Sequence, residues 1–358
     1  MEYLSDPVSG KKFSMTVFRE NAGLVEAGIL DSGDNYYPIV NGVPRILIGN
    51  LRRDMLRNHI DFLNQHKPLL PETLVKEWEG VINDIADLDK FILHQKKTGE
   101  SFAYEWKTIY RENDYEKNNF FHFLSPFIKE ENIKDKVCLD IGCGSGRFTK
   151  QASLAGAKQV FSTDVGESVE VAYEMVKEMP NVCVVHADIY AMPFNQTIEL
   201  AFSIGVLHHL PKPKDGFLAL PKVVKKGGQM LIWVYSRRNN ARALYFYEPL
   251  RSVMKRLPKP LVYKLSYIPA VAVHAINQIT HILREWGAEE LSKKVPFFYY
   301  ANFSFNMKLN DSFDVLATPK SNYYYFEEIE EWFKDARLVG IQSFEQPASG
   351  VTCVGKNE

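Results

Sequence analysis

Residues 137–166 read VCLDIGCGSGRFTKQASLAGAKQVFSTDVG. A short apolar run holds Asp140, glycines follow at Gly142, Gly144 and Gly146, and a second apolar run ends in Asp164. The pattern is strand, glycine turn, helix, strand, the first unit of a sheet with helices between parallel strands. A dinucleotide-binding turn would read GxGxxG. Here Arg147 stands where the last glycine of that pattern belongs, and Asp140 lies two residues before the first. A carboxylate there sits awkwardly beside a pyrophosphate but suits an ammonium group.

Two further acids extend this reading. Asp164 ends the second strand twenty residues after Gly144, where an acid can accept from both hydroxyls of a ribose. Asp188 follows the third strand in "VCVVHADI" and is placed for an adenine amino group. A ligand with an amino acid, a ribose and an adenine but no phosphate is S-adenosylmethionine (SAM), and binding of NAD is not expected.

From Lys136 onward, strands and helices alternate through "KVCLDIG", "QVFSTDVG", "VCVVHADI", "IELAFSIGVL" and "GGQMLIWVYS". The chain then closes with the helix "YFEEIEEWFKDARL" and two strands, "VGIQSFEQ" and "GVTCVGK". The link between those two is so short that they must pair as an antiparallel hairpin. The fold class is therefore α/β, a doubly wound, Rossmann-like sheet. Its ordered motifs "LDIGCGSGRF", "STDVG", "HADIYAMPF", "FSIGVLHHL" and "KKGGQMLIWVYS" resemble those of class I SAM-dependent methyltransferases. "SFAYEWKTIY" and "DSFDVLATPKSNYYYFEEIEEWF" are similar to segments of a bacterial subfamily that accompanies polysaccharide and secondary-metabolite pathways.

The resemblance implies site residues. Gly142, Cys143, Gly144 and Gly146 form the turn against the methionine and ribose, with Cys143 a small packing residue. Asp140 orients the amino group, Asp164 with Val165 binds the ribose, and Asp188 with Ile189 meets the adenine. Ser203 and Gly205 lie near the methyl. His208 and His209 follow the fourth strand, and histidine can take a proton near neutral pH. Tyr104, with Glu105 and Trp106 beside it, could close over the site or staple the preceding helices.

The rest of the 358-residue chain divides around this core. Residues 1–50 are rich in turns and read as a small β-rich module, 51–125 as a helical and aromatic cap, and 126–236 as the SAM-binding core. Residues 237–318 are a helical insertion, too long for a connection in a compact fold, and 319–358 complete the core. "YYPIVNGVPRIL" resembles the zinc-ribbon-like domain that activates some methyltransferases as a separate partner. Asp6 and Ser9 occupy the positions of its first cysteine pair, so no metal is expected there.

The formal net charge of −1 argues against a general nucleic-acid binder. Cys138, Cys143, Cys183 and Cys353 form no CxxC pair, which argues against a zinc ribbon or a disulfide framework. No apolar signal core or spanning stretch is evident, so a cytoplasmic location is expected.

The insertion opens with basic residues, among them Arg237, Arg238, Arg242, Arg251, Lys255 and Arg256. An apolar stretch follows, "YIPAVAVHAINQITHIL", then an aromatic one, "VPFFYYANFSF". This suits a lid whose arginines hold an anionic, nucleotide- or lipid-linked small acceptor. It equally suits peripheral contact with a membrane surface or a homo-oligomer interface. The expected function is methyl transfer to a small acceptor in a surface-glycan or natural-product pathway. The competing reading is a SAM-binding assembly module without turnover.

Overall fold

The computed structural model describes residues 2–83, 90–109, 116–238, 248–318, 321–346 and 350–358. Arg242, one of the basic residues of the insertion, lies outside them.

Eleven strands form one sheet: β1 (Ser14–Asn21), β2 (Leu24–Asp31), β3 (Tyr36–Val40), β4 (Val43–Ile46), β5 (Val137–Ile141), β6 (Gln159–Asp164), β7 (Val182–Ala187), β8 (Ile198–Ile204), β9 (Val224–Tyr235), β10 (Leu338–Glu345) and β11 (Gly350–Asn357). Their order is β1-β2-β3-β4-β7-β6-β5-β8-β9-β11-β10. β5 to β9 pair in parallel and are mostly buried, as strands covered by helices on both faces must be. β10 and β11 form the expected antiparallel hairpin, with β11 inserted beside β9. The strand order reverses at β5, so the Gly142–Gly146 turn sits at the crevice where such sheets bind ligands.

The β-rich residues 1–50 continue this sheet. β4 pairs in parallel with β7, Arg45 opposite His186 and Ile46 opposite Ala187. Leu4, Phe13, Leu30, Tyr37 and Ile39 share one apolar core with Ile141 and Phe161 of the central strands and with Phe194, which bridges to Leu4. Asp6 ties the start of the chain to the β2–β3 turn. Its carboxylate accepts from Val8 N (2.9 Å), Ser9 Oγ (2.8 Å), Ser32 Oγ (2.8 Å), Asn35 Nδ2 (2.8 Å) and Tyr37 Oη (2.9 Å). A hydrogen-bonded knot thus stands where the resemblance would place a metal. Burial pushes this carboxyl up, but the donors from Asn35, Val8, Ser32 and Ser9 outweigh it and hold it well below the usual range.

The insertion folds as helices Glu248–Met254, Lys259–Glu285, Glu289–Ser292 and Phe305–Ala317. Val262 and Ala270 of the long helix pack on Leu309, Phe313 and Leu316 of the last one. Its outer side carries Ile268, Val271, Ile279 and Ile282, all exposed, and Trp286 follows. Among the described residues, no helix is long and apolar enough to cross a membrane.

Asp6→Ala should lower stability by about 3 kcal/mol, because it strands the buried hydroxyls of Ser32 and Tyr37 and breaks three further hydrogen bonds. The Asp6 carboxyl is depressed in the folded state, so its contribution is present above the unfolded value and lost as pH falls. Urea titrations at pH 7 and pH 3 should therefore show a gap between wild type and variant that narrows in acid. Elemental analysis of the purified protein should find no stoichiometric zinc.

Candidate functional site

A cavity of about 370 Å³ opens at the C-terminal ends of β5, β6, β7 and β8. Gly142, Cys143, Gly144, Asp164, Val165, Asp188, Ile189, Gly205 and His209 line it. Gly142 and Gly144 both have positive φ, +75° and +55°. A Cβ on Gly142 would lie 2.4 Å from the Val206 side chain, and one on Gly144 would lie 2.7 Å from Trp106 Nε1. Only glycine fits this turn. Cys143 packs among Val43, Val169, Ala172 and Val184, and burial pushes its thiol well up, consistent with a packing role.

Asp164 fastens the turn to the next strand. Its Oδ2 accepts from Gly144 N at 3.0 Å and its Oδ1 from Gly166 N at 2.9 Å. Burial raises its pKa against those two bonds. Asp140 lies beneath the turn, fully enclosed, and accepts from Thr149 Oγ1 at 2.7 Å. Burial pushes its carboxyl up to about 7; the hydroxyl of Thr149 and the charge of Arg147 oppose this, and nearby Asp164 adds to it. Asp188 accepts from Gln95 Nε2 at 3.0 Å and from Tyr190 N at 3.2 Å.

Several expected residues lie off the cavity wall. Gly146 closes the turn away from the wall, and Asp140 and Ser203 lie behind it, Ser203 donating to Ile141 O at 3.0 Å. His208 is completely buried, and its ring stacks on Tyr235 at 4.0 Å. Neither of its ring nitrogens has a partner among the described residues, and burial holds its pKa well below 6.5. His208 is not among the residues that line the cavity. His209 does reach the cavity, with Nδ1 3.3 Å from Ser321 Oγ. Tyr104 turns away to pack on Phe313, while Phe102, Glu105 and Trp106 of the same helix, Lys90–Thr108, face inward.

Residues of the insertion line the cavity, but Arg237 and Arg238 are not among them. Arg238 pairs with Glu327 at 2.7 Å on the surface, and Arg237 lies over the Tyr325 ring. Arg251 lines the cavity and donates to Val315 O at 2.7 Å. The roof itself is Tyr299, Tyr300, Phe303, Met307, Asn310, Asp311 and Asp314. The last four fall on one face of helix Phe305–Ala317, and that helical spacing was the signal available for finding them.

One support comes from the N-terminal strands. Arg45 is completely buried, bonded to Glu170 and 3.6 Å from Glu167. It also meets His186 Nδ1 at 3.2 Å, while His186 Nε2 meets Val165 O at 3.0 Å. Arginine can only donate, so His186 Nδ1 accepts and Nε2–H donates to Val165. Burial and the charge of Arg45 lower the pKa of His186, which keeps this neutral form. His59, Glu167 and Glu170 come close enough together to suggest a metal site, but the Arg45 cation already serves both carboxylates.

SAM fits these residues. The turn admits only backbone, and the Asp164 carboxylate, at the end of β6, lines the cavity beside it. Gln95 Oε1, buried at the Asp188 end, has no partner among the described residues and could accept from an adenine amino group. When bound, SAM supplies an activated methyl on its sulfonium.

Residues 139–232 match the model of the family described as "Methyltransferase domain". Among curated proteins, a tRNA U34 carboxymethyltransferase of Vibrio cholerae serotype O1 is 28% identical over 132 residues, 36% of this chain and 38% of that protein. The one from Cellvibrio japonicus is 31% identical over 109 residues, covering 28% and 33%. The chain thus spans less than two fifths of the length of these relatives. Among solved structures, a magnesium protoporphyrin IX methyltransferase from Synechocystis PCC 6803 with bound SAM aligns over 77% of this chain and 100% of its own. That alignment has 10% identity and a TM-score of 0.44.

Calorimetry should show binding of SAM and S-adenosylhomocysteine, and none of NAD. Asp164→Ala should weaken SAM binding by about 1–3 kcal/mol, the scale of lost charge-assisted hydrogen bonds. The motifs and the family match together identify a class I, SAM-dependent methyltransferase domain in this chain.

Proposed function

We propose that the chain transfers the methyl group of SAM to a small acceptor, of the kind found in glycan or natural-product pathways. The observation that carries this reading is the roof. One cavity runs from the Gly142–Gly144 turn to the underside of helix Phe305–Ala317, with Tyr299, Tyr300 and Phe303 beside it. Displacement at a sulfonium needs chiefly an aligned nucleophile and exclusion of water, and an aromatic lid supplies the second. The outward position of Arg237 and Arg238 speaks against their gripping an anionic acceptor.

A second reading has support in the curated relatives, which bear the name of tRNA-modifying enzymes. Under it the acceptor is a nucleotide of RNA.

Incubation with [methyl-³H]SAM and either a metabolite extract or bulk tRNA separates the two readings. Label should enter small molecules; label in tRNA alone would favour the second reading, and SAM binding without any transfer would favour a non-catalytic module. Replacing Arg237 and Arg238 together by alanine should leave both SAM affinity and transfer within about twofold of wild type, since exposed pairs contribute little.

A further inference from the structure

We propose that the end of the cavity beneath helix Phe305–Ala317 is a subsite for an acceptor bearing a hydroxyl or amino nucleophile, with Asp311 as the base that takes its proton. This rests on the methyltransferase reading above.

Two residues that line this cavity, Asn310 and Asn119, each hold a buried side-chain carbonyl oxygen without a partner among the described residues. Asn310 is 5% exposed and donates through Nδ2 to Glu105 Oε1 at 2.7 Å, and its Oδ1 has no partner among the described residues. Asn119, 3% exposed, likewise leaves its Oδ1 unmatched. Buried acceptor atoms of this kind cost stability until a donor arrives. A molecule rich in O–H or N–H groups would satisfy them, whereas an anion would not.

The three acids of this end have different duties. Asp314 is committed to Tyr235 Oη at 3.3 Å and to Thr318 Oγ1. Glu105 is buried beside Asp314 and Asp311, that surrounding pushes its carboxyl well up, and its Oε1 accepts from Asn310 Nδ2. Asp311 remains. Around it stand Arg147 from the helix after the glycine turn, Tyr300 from the preceding turn, and Asp314 and Asn310 on its own helix. Glu105 faces it from helix Lys90–Thr108. Burial pushes Asp311 up to about 6, with Arg147 and the Tyr300 and Asn310 hydrogen bonds opposing and Asp314 adding. It is therefore ionised at neutral pH yet basic enough to accept a proton. Arg147 lines the cavity directly after the turn and pulls on both Asp140 and Asp311, which sets Asp311 within electrostatic reach of the cofactor cradle.

The step balances. The acceptor oxygen or nitrogen forms a bond to the methyl carbon as the carbon–sulfur bond breaks. That electron pair stays on sulfur, giving S-adenosylhomocysteine, and the acceptor's proton passes to Asp311 and then to solvent.

The test uses [methyl-¹³C]SAM bound to the full chain. In wild type, the methyl resonance should titrate with a midpoint near pH 6; in Asp311→Asn it should not, while SAM affinity stays within about threefold. At pH 7.5, transfer into a metabolite extract should fall by about 100-fold or more in this variant. Wild-type transfer should decline as pH drops below 6. A wild-type methyl resonance that ignores pH would overturn the proposal, and so would a variant retaining transfer within threefold. The wild-type titration needs no variant, so a misfolded Asp311→Asn would leave it decisive. A titrating methyl with no transfer to any small molecule would sink the reading of function and leave this subsite standing.

Discussion

The two hydrogen bonds that Asp164 accepts from Gly144 N and Gly166 N hold together the part of the molecule on which the rest depends. They join the turn after β5 to the loop after β6, at the point where the strand order reverses. The turn can pass so close to its neighbours only because Gly142 and Gly144 lack side chains, with Val206 and Trp106 occupying the space a Cβ would need. Burial of Asp164 works against its ionisation, and the backbone N–H groups counter that. A fixed, desolvated acceptor therefore faces the cavity before any ligand arrives, so little reorganisation is needed on binding.

The N-terminal strands are part of this arrangement. Arg45, buried in β4, braces Glu167, Glu170 and His186, and His186 in turn holds the carbonyl of Val165 on the cavity wall. A segment that looks like an appended module thus buttresses the cavity wall at Val165. Breaking such a pair from one side leaves uncompensated buried charge, typically at a cost of about 3–5 kcal/mol. The coupling of β1–β4 to the core is therefore energetic as well as topological.

The glycine-turn half of the cavity was legible in the sequence because its signals are local. Gly142, Gly144, Asp164 and Asp188 hold their meaning within single strand-turn units, and all four line the cavity. The acceptor half was less legible, because it depends on which face of a helix turns inward. Tyr104 and Glu105 are neighbours in the chain, yet one packs on Phe313 and the other lines the cavity, as a rotation of about 100° per helical residue dictates. Arg237 and Arg238 drew attention by charge and lie on aromatic surface, whereas Asn310 and Asp311 hid in an unremarkable helical stretch. His208 and His209 look equivalent in the chain and differ in the fold, since only His209 reaches the cavity.

The central claim is that one continuous cavity seats SAM against the glycine turn and presents its methyl to the roof formed by the insertion. A crystal structure with S-adenosylhomocysteine and sinefungin soaked in parallel tests this most directly. The account predicts ribose hydroxyls on Asp164, adenine at Asp188 and Gln95, and the sulfur or its substituent facing the space lined by Glu105, Asn310 and Asp311. A ligand bound elsewhere would contradict it, as would one whose reactive end points away from helix Phe305–Ala317.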